Sequence, residues 1–365
     1  MTSHSAKIST IIQGALKRWK GTTIPEFLSG SMKLSDTQWL LSHLFENIVS
    51  RLKTTHIMTQ RTRDDFVRPC DIDQRTIQLF DRIASNTLGE EYSVIELSPL
   101  ASIGSNSLLT KIKQANILPT SRMTELVADV AVALSIESGL KYRSTQSEVR
   151  VASSHRIVRV QDVGSIPGFT QHFRMFGLCH TGAFTNKSYA EPIKEQVRFY
   201  LNLINQLSEI GTVQNVCVYL SNILASTHLI QKNNLAMEEV RSMTDNEDEY
   251  DLCTRSKLEC TRYSKTVPNV DPDTKKILKP LFPSMEELRE EYPNVEILYD
   301  LGRIAGIGYY NGPCFKITAA NKDGSEFPLV DGGVSDWVAT LLHNKKISCV
   351  TSGIGSELFC REFLQ

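Results

Sequence analysis

The hydrophobic period of the chain changes near residue 148, and this change restricts the possible folds more than any other feature. Before it, apolar residues recur at i, i+3 and i+4 in "KISTIIQGALKRW", "DTQWLLSHLFENIVSRLK" and "DQRTIQLFDRIASNT". That spacing predicts helices, with Asp36 and Asp73 as N-caps of the second and third. After it, "EVRVASSHRIVRVQ" and "GFTQHFRMFGLCHTG" predict adjacent strands joined by the loop "DVGSIPG".

The remaining segments alternate between short strands and helices. "YSVIELSP" predicts a strand that Pro99 ends, and "RMTELVADVAVALSIESG" predicts a helix over 122–139 that ends at Gly139. Later come a long helix in "YAEPIKEQVRFYLNLINQLSEIG", a strand in "VQNVCVYLS", and a short helix that begins with a Ser284–Glu287 capping box. A hairpin around Asp323 and Gly324 precedes a last helix, strand and helix. This order predicts an α+β fold, with a mostly antiparallel sheet flanked by helices.

Three regions follow from these patterns. Residues 1–90 are predicted to form an N-terminal helical segment, and residues 91–221 with 284–365 are predicted to form the core. Between the two parts of the core, residues 222–283 lose their periodicity and carry both an acidic cluster and a group of lysines. We therefore expect this stretch to be an insertion that is mainly helical or irregular.

Composition excludes several kinds of function. The 365 residues carry a net charge of −1, which argues against broad electrostatic binding to nucleic acid or to an anionic membrane surface. No apolar run is long enough to span a bilayer, and the N-terminus does not resemble a secretory signal. The eight cysteines are scattered without a C-x-x-C pair, as is typical of free thiols in a cytoplasmic protein.

The stretch "GRIAGIGYYNGPCFKI", residues 302–317, contains the densest group of glycines. The spacing of Gly306, Gly308 and Gly312 does not fit a dinucleotide-binding loop, and the chain has no P-loop motif. Two interpretations remain open. The run is either a tight turn into a strand, with Tyr309 and Tyr310 on opposite faces, or the glycine floor of a ligand pocket.

Polar residues of the two strands after residue 148 are candidate ligands of a metal or an anion. His172 and His180 lie about 26 Å apart on one strand, at ~3.3 Å per residue, and Cys179 is on its other face. We therefore predict no metal site. Arg156 and Arg159 lie on opposite faces of the preceding strand, and Arg174 lies on its neighbour. These arginines either pair with carboxylates or bind a phosphate or carboxylate group of a ligand.

Several segments, in order, resemble the class II aminoacyl-tRNA synthetases of the histidyl type. "FTQHFRMFGLCHTG" is similar to their second signature motif, and "DLGRIAGIGYYNGPCFKI" to the histidine-specific loop and strand. "LVDGGVSDW" resembles "A-G-G-R-Y-D", and "TSGIGSELF" resembles the third motif, "G-x-G-x-E-R". The resemblance covers residues 92–362 and implies a class II catalytic core, with ATP and magnesium as possible cofactors.

Departures from the family motifs remove charged groups. The loop arginine and aspartate fall at Ala305 and Gly308, and Leu358 stands where the arginine that stacks on ATP belongs. Val334 and Ser335 replace another arginine and tyrosine, whereas Asp336 and Glu357 are kept. Met175 and Cys179 occupy the positions of the second motif's glutamine and glutamate, and Arg159 keeps the place of the arginine that contacts the α-phosphate.

Loss of these donors argues against tRNA charging. Each such donor contributes ~2.7–4 kcal/mol to stabilisation of a charged transition state. We also expect no room for an anticodon-binding domain before Gln365, and therefore no tRNA partner.

Two functional hypotheses remain beside a purely structural role. In the first, the protein is a non-aminoacylating paralogue similar to the regulatory subunit of ATP phosphoribosyltransferase. It would bind a small metabolite, either an amino acid or a nucleotide, and act through a partner enzyme or its own homodimer. The resemblance implies that such a dimer forms through "YSVIELSP". In the second, the protein is an ATP-dependent ligase that joins an acid to an amine through an acyl-adenylate.

Both hypotheses use one candidate ligand pocket. In the ligase, two arginines and two glutamates would contact phosphate and magnesium, and Met175, Cys179 and the tyrosine pair would shape the acyl pocket. The candidate residues are Arg159, Arg174, Met175, Cys179, Glu125, Gly306, Gly308, Tyr309, Tyr310, Asp331, Asp336 and Glu357.

Overall fold

The protein is described by a computed structural model. It describes residue 30 and residues 32–110, 112–160, 171–184, 189–244, 250–258, 262–266 and 269–364. The first predicted helix and the loop "DVGSIPG" lie outside these residues.

Helices dominate the chain up to residue 145, and two long strands follow. The helices of this half are α1 (Leu34–Val49), α2 (Thr54–Arg63), α3 (Gln74–Thr87), α4 (Ser105–Thr110) and α5 (Val130–Thr145). The strands are β1 (Tyr92–Val94), β2 (Leu100–Ser102), β3 (Thr124–Leu126), β4 (Val149–Val158) and β5 (His172–Gly182).

The second half alternates more closely between helix and strand. Its helices are α6 (Ala190–Leu207), α7 (Ile223–Lys232), α8 (Met237–Ser242), α9 (Leu252–Arg255), α10 (Pro272–Leu278), α11 (Phe282–Glu291), α12 (Trp337–Leu342) and α13 (Ser356–Phe363). Its strands are β6 (Gln214–Asn222), β7 (Tyr263–Ser264), β8 (Glu296–Asp300), β9 (Pro313–Ala320), β10 (Glu326–Ser335) and β11 (Ser348–Ile354). No helix among the described residues is both long enough and apolar enough to cross a membrane.

One nine-stranded sheet organises the molecule, in the order β1-β4-β5-β11-β10-β9-β6-β8-β7. Only the pairs β1–β4 and β6–β8 are parallel. The predicted α+β class with a mostly antiparallel sheet is therefore confirmed. Strands from residues 149–182 and from residues 313–354 are direct neighbours through β5 and β11, so side chains from both parts of the chain meet on one surface.

Helices cover the two faces of this sheet unequally. The apolar stripe of α6, which includes Ile193, Val197 and Leu201, is buried against one face together with Phe176 and Phe315. On the opposite face, α5 packs on β4, β5 and β11. Because α5 covers only part of that face, the rest of it remains available to form a cleft.

Three details of the predicted helices were wrong. Helix α5 begins at Val130 rather than near residue 122, because the Asp129 carboxylate caps it by accepting the Ala131 N–H. Gly139 lies inside this helix, where the space a Cβ would take faces Val338 at 3.5 Å. Asp36 and Ser284 lie inside their helices and are not N-caps, whereas Asp73 caps α3 as predicted.

Residues 223–281 connect β6 to α11 and are mainly helical where they are described. Helices α7 to α10 lie here, and the two-residue strand β7 joins the edge of the large sheet beside β8. The division of the chain into a core and an insertion stays a prediction.

Candidate functional site

A cavity of about 880 Å³ lies on the face of the sheet that α5 leaves partly uncovered. We call it the main cavity. Its wall combines the start of α5, the loop 305–310, the ends of β4 and α8, and the middle of β5, β10 and β11. The polar and backbone groups used below come from Asp129, Arg159, Met175, Gly306, Gly308, Tyr309, Tyr310, Asp331 and Gly353.

The floor of this region is a row of paired residues across neighbouring strands. Lys316 pairs with Asp331, Asp331 with Gly353, and Gly353 with Gly177. Gly177 is needed where α5 meets β5, because a Cβ there would lie 2.6 Å from Val130. Because α5 covers Gly177, the open part of this row consists of Lys316, Asp331 and Gly353, and Asp331 is its acidic residue.

Asp129 is the first of two carboxylates in the main cavity. The Tyr309 hydroxyl donates a hydrogen bond of 2.8 Å to one carboxylate oxygen, and the Arg159 guanidinium lies 3.5 Å from the same oxygen. Arg159 is fixed in turn by its Nε, which donates to the Ala128 carbonyl at 2.9 Å, and by the Phe173 ring beneath it. The N-cap of α5 is thus also the centre of a charged cluster.

Asp331 is the second carboxylate. Arg303 donates to both of its oxygens at 2.9 and 2.7 Å, and the Tyr310 hydroxyl donates at 2.6 Å. Arg303 is only 1% exposed, whereas the Asp331 side chain is 50% exposed. Burial opposes the charge of Arg303, but the Asp331 carboxylate overcomes it and raises the pKa of the guanidinium. A permanently charged arginine therefore holds Asp331 with one side toward the cavity.

Both tyrosines act as hydrogen-bond donors. Burial, and then the Asp129 carboxylate, raise the pKa of Tyr309 well above its usual value. Burial and Asp331 have the same effect on the pKa of Tyr310. The hydroxyls consequently stay protonated at neutral pH and orient the two carboxylates.

The loop 305–310 is a tight turn that also forms cavity wall. The N–H groups of Tyr309 and Tyr310 both donate to the Gly306 carbonyl at 2.9 Å. Gly306 has a φ of +93°, and a Cβ there would lie 2.6 Å from the Tyr310 ring. The two tyrosine rings meet edge to face with centroids 4.9 Å apart, so the prediction that they pack on opposite faces was wrong. Each of them reaches a different carboxylate of the same cavity.

A smaller cavity of about 240 Å³ opens beside the main cavity, and we call it the apolar pocket. The two share Met175, Asp331 and Gly353 in their walls, so they meet at these residues. The other apolar side chains in the wall of the pocket are Phe173, Pro328, Leu329, Val330 and Leu358.

Charged residues at the edge of the apolar pocket are engaged with other groups. Glu357 is buried and receives the Arg156 guanidinium at 2.8 Å, while Arg361 pairs with Asp71 at 2.7 Å. The Lys316 ammonium lies 5.5 Å from the centre of the Tyr219 ring. The surface that these pairs leave for a ligand is mainly hydrocarbon.

Most of the residues predicted for the ligand pocket come together. Arg159, Gly306, Gly308, Tyr309 and Tyr310 line the main cavity. Met175 and Asp331 line both cavities, and Glu357 lines the apolar pocket. The structure therefore brings together, around one cleft, the strand, loop and helix segments that resemble the family motifs.

Four predicted pocket residues lie elsewhere. Arg174 is on the other face of β5, where it bonds to Asp81 and Ser154, because successive strand residues alternate between faces. Cys179 shares the face of Met175, but α5 covers it and its thiol meets Ser135. Asp336 precedes α12 and lines a separate cavity of about 510 Å³.

Glu125 is the fourth, and it supports the cavity wall from behind. Its buried carboxylate accepts the N–H groups of Gly104 and Asn106 at 2.8 and 3.0 Å. It also accepts the side-chain amides of Asn106 and Gln114 at 2.9 and 3.0 Å. These bonds hold Gly104, Asn106 and Gln114, and the nearby residues Thr110, Ile112 and Lys113 belong to the cavity wall. The predicted contact of Glu125 with magnesium stays a prediction.

Sequence reasoning missed Asp129 and Arg303, which organise the cavity. Asp129 lay inside a segment predicted to be continuous helix, although an aspartate before an apolar run is a common N-cap signal. Arg303 lies in the glycine-rich stretch itself, but the resemblance to the family motif placed the loop arginine's position at Ala305. A search for acidic partners of each arginine would not have found Asp331, which lies 28 residues further along the chain.

Comparisons with known proteins support the fold through structure alone. No protein-family model matches the chain, and neither does any curated protein sequence. Among solved structures, an ATP phosphoribosyltransferase regulatory subunit/histidyl-tRNA synthetase from Bacillus halodurans matches with a TM-score of 0.62 and 14% identity, over 81% of this chain and 82% of that one.

Two further solved structures match. A histidine–tRNA ligase subunit from Alicyclobacillus acidocaldarius gives a TM-score of 0.58 at 11% identity, over 80% of this chain and 96% of that one. The histidyl-tRNA synthetase of S. aureus gives 0.50 at 12% identity, over 79% and 69%. The protein therefore has a class II aminoacyl-tRNA synthetase-like fold. Within that class, it has the arrangement shared by these histidyl-tRNA synthetase and regulatory-subunit structures.

Proposed function

We propose that this protein is a non-aminoacylating class II synthetase paralogue that binds a small amino-acid-like metabolite in the main cavity. The observation that carries the proposal is the pair of oriented carboxylates, Asp129 and Asp331. At Asp129, a tyrosine hydroxyl and an arginine contact one oxygen while the other oxygen caps α5. At Asp331, the arginine contacts both oxygens and the tyrosine contacts one, and both carboxylates are part of the cavity wall. A protonated amine is the ligand group that such a pair binds best, because it carries several donors and a positive charge.

Cations in the same wall suit the other end of the same ligand. The Arg159 side chain is 30% exposed, and the exposed residues Lys113 and Arg241 also lie in the cavity wall. A wall that combines two carboxylates with several cations matches a zwitterion, whose amine would contact the carboxylates and whose carboxylate would contact the cations. This distribution supports an amino acid over a simple amine.

The apolar pocket supports a role without adenylation. A triphosphate needs exposed cations, yet Arg156 and Arg361 are held by Glu357 and Asp71, and Leu358 stands where the family's stacking arginine belongs. These residues do not fit ATP with magnesium. The alternative of an acyl-adenylate ligase would require those ion pairs to open.

A regulatory or accessory role is part of the proposal. One matching structure is described as an ATP phosphoribosyltransferase regulatory subunit/histidyl-tRNA synthetase. A site that binds a ligand without transforming it suits a regulatory role. We propose that the protein acts through a partner enzyme or as a homodimer through β1, which forms the edge of the sheet and exposes Val94. None of the described cysteines is part of a disulfide, and we propose a cytoplasmic location.

Thermal unfolding with a panel of L-amino acids and magnesium–ATP tests this function. A ligand at one hundred times its Kd stabilises the folded state by ~2.7 kcal/mol. We expect at least one amino acid to raise the Tm, and we expect Asp129→Asn to abolish the increase. Arg75→Ala, which removes an exposed arginine on α3, is the control and should respond like the wild type.

The nucleotide arm of the same experiment separates the two hypotheses. An increase in Tm with magnesium–ATP that Arg159→Ala removes would support the ligase instead. Absence of any response to amino acids would reject the proposed function.

A further inference from the structure

The ligand's substituent is the question that the main cavity alone leaves open. We propose that the metabolite carries an aromatic or branched aliphatic group and that this group occupies the apolar pocket. This proposal rests on the proposed function, because it assigns the side chain of the same amine-bearing ligand. It makes the ligand class an apolar α-amino acid or a closely related amine.

The connection between the two cavities supports this assignment. Asp331 lies in the wall of both, and half of its side chain is exposed. Met175 and Gly353 border it on the same sheet face, and the end of the Met175 side chain lies over Gly353, 3.0 Å from where a Cβ would be. A group attached to an amine at Asp331 would therefore enter the apolar pocket past the flexible Met175 side chain.

The size and chemistry of the pocket define what can fill it. Its volume is about 240 Å³. An engineered protein cavity of about 150 Å³ with apolar walls binds benzene, so one ring or one branched chain fits here. Phe173, Met175, Pro328 and Leu358 offer hydrocarbon surface, to which an apolar group binds with the release of water.

The charges around the pocket disfavour anionic alternatives. Glu357, Arg361 and Lys316 border it, but each is occupied by Arg156, Asp71 or the Tyr219 ring. An anionic substituent would lose its hydration and would lie beside the carboxylates of Asp331 and Glu357, which also line the pocket. A phosphate or a second carboxylate on the ligand is therefore disfavoured at this end.

Titration calorimetry with L-phenylalanine, L-leucine, L-alanine and L-glutamate tests the assignment. Since even one methylene in an apolar pocket changes affinity by ~10-fold or more, we expect phenylalanine or leucine to bind at least ~10-fold more tightly than alanine. Glutamate should bind no better than alanine. Equal affinities of all four would overturn the inference but leave the proposed function standing, whereas no binding of any of them would overturn both.

Variants of the pocket wall locate the effect. Leu358→Arg places a charge in the apolar pocket and should reduce the preference for the apolar ligand over alanine by ~10-fold or more. Leu358→Met keeps the volume and should retain that preference. If Leu358→Arg does not fold, Phe173→Ala removes the opposite wall and should have the same effect on the ratio. A ratio unchanged in the foldable variants would overturn the inference.

Discussion

The main cavity and the apolar pocket share one sheet face and three wall residues, yet their chemistry differs. In the main cavity, arginines and tyrosines orient Asp129 and Asp331, and these carboxylates still face the cavity. At the apolar pocket, Arg156 instead closes on Glu357, and Leu358 adds hydrocarbon. The difference teaches that hydrogen bonds and ion pairs can leave one part of a cleft lined by oriented charged groups while the adjoining part is lined mainly by hydrocarbon.

The largest expected effect comes from removing the carboxylate that both cavities share. Asp331→Ala leaves the Arg303 guanidinium buried without its counter-charge, and breaking such a pair costs about 3 kcal/mol or more of folding free energy. Urea unfolding measures this loss. Asp323→Ala, in the exposed turn of the β9–β10 hairpin, is the control and should change stability by less than ~0.5 kcal/mol. Equal losses in both variants would mean that the Arg303–Asp331 pair contributes nothing.

Glu125 should affect the main cavity and leave the apolar pocket intact. Glu125→Gln replaces acceptor oxygens by an amide donor that faces other donors, and we expect a loss of about 2 kcal/mol in the free energy of unfolding. Ligand affinity should fall as well, since Gly104, Asn106 and Gln114 beside the cavity wall lose the carboxylate to which they donate. The preference for an apolar substituent should stay the same, and a change in that preference would contradict the separation of the two cavities.

The same residue gives a pH dependence with a defined sign. Burial alone would raise the pKa of Glu125, but hydrogen bonds from Asn106, Gln114 and Gly104 lower it below its usual value. Its carboxylate therefore stabilises the fold above ~4.3, the pKa of an unfolded glutamate, and this stability is lost as the pH falls through the lower folded value. The difference in stability between wild type and Glu125→Gln should shrink over this acidic range. A difference that is constant down to acid unfolding would contradict the role of the charge.

Substitutions at two glycines distinguish the cost of backbone strain from the cost of a steric clash at the main cavity. Gly306 and Gly324 have φ values of +93° and +79°, but only at Gly306 would a Cβ meet a neighbour, the Tyr310 ring. Gly324→Ala should cost about 1 kcal/mol from conformation alone. Gly306→Ala should cost more, and it should weaken amino-acid binding by displacing Tyr310 from Asp331. Equal losses of stability with unchanged binding would show that the Tyr310–Asp331 contact is dispensable.

The smallest effect on stability is expected at the apolar pocket. Leu358 is half-buried at the start of α13, so Leu358→Met should change the free energy of unfolding by less than ~0.5 kcal/mol. Chemical denaturation is the measurement. A loss comparable with that of Asp331→Ala would mean that Leu358 belongs to the core rather than to a ligand pocket.

The sequence predicted the sheet well and the charged cluster poorly. Alternation identified β4 and β5, and Asp323-Gly324 located the β9–β10 hairpin, because these signals are local. The Arg303–Asp331 pair is not local, since its burial depends on how a loop packs against a strand from another part of the sheet. Helix α5 was misplaced because residues 122–129 have an apolar spacing compatible with helix, whereas the fold uses 124–126 in β3 and Asp129 as the cap.

Cys179 and Arg174 illustrate a second limit. Both residues lie on the strand that carries Met175, and the family resemblance assigned both to one pocket. Pairing in the sheet sends Arg174 to the opposite face, and α5 covers Cys179. Strand alternation could have corrected the first assignment, but only the packing of a helix on the sheet decides the second.

The central claim is that Asp129 and Asp331 recognise a protonated amine. Titration calorimetry with 2-phenylethylamine and with 3-phenylpropionate tests it directly, because each compound keeps the apolar group and only one of the two charged ends. We predict that the amine binds and that the acid binds at least ~100-fold more weakly, since Asp129 and Asp331 would repel its carboxylate. Tighter binding of 3-phenylpropionate than of 2-phenylethylamine would contradict the account.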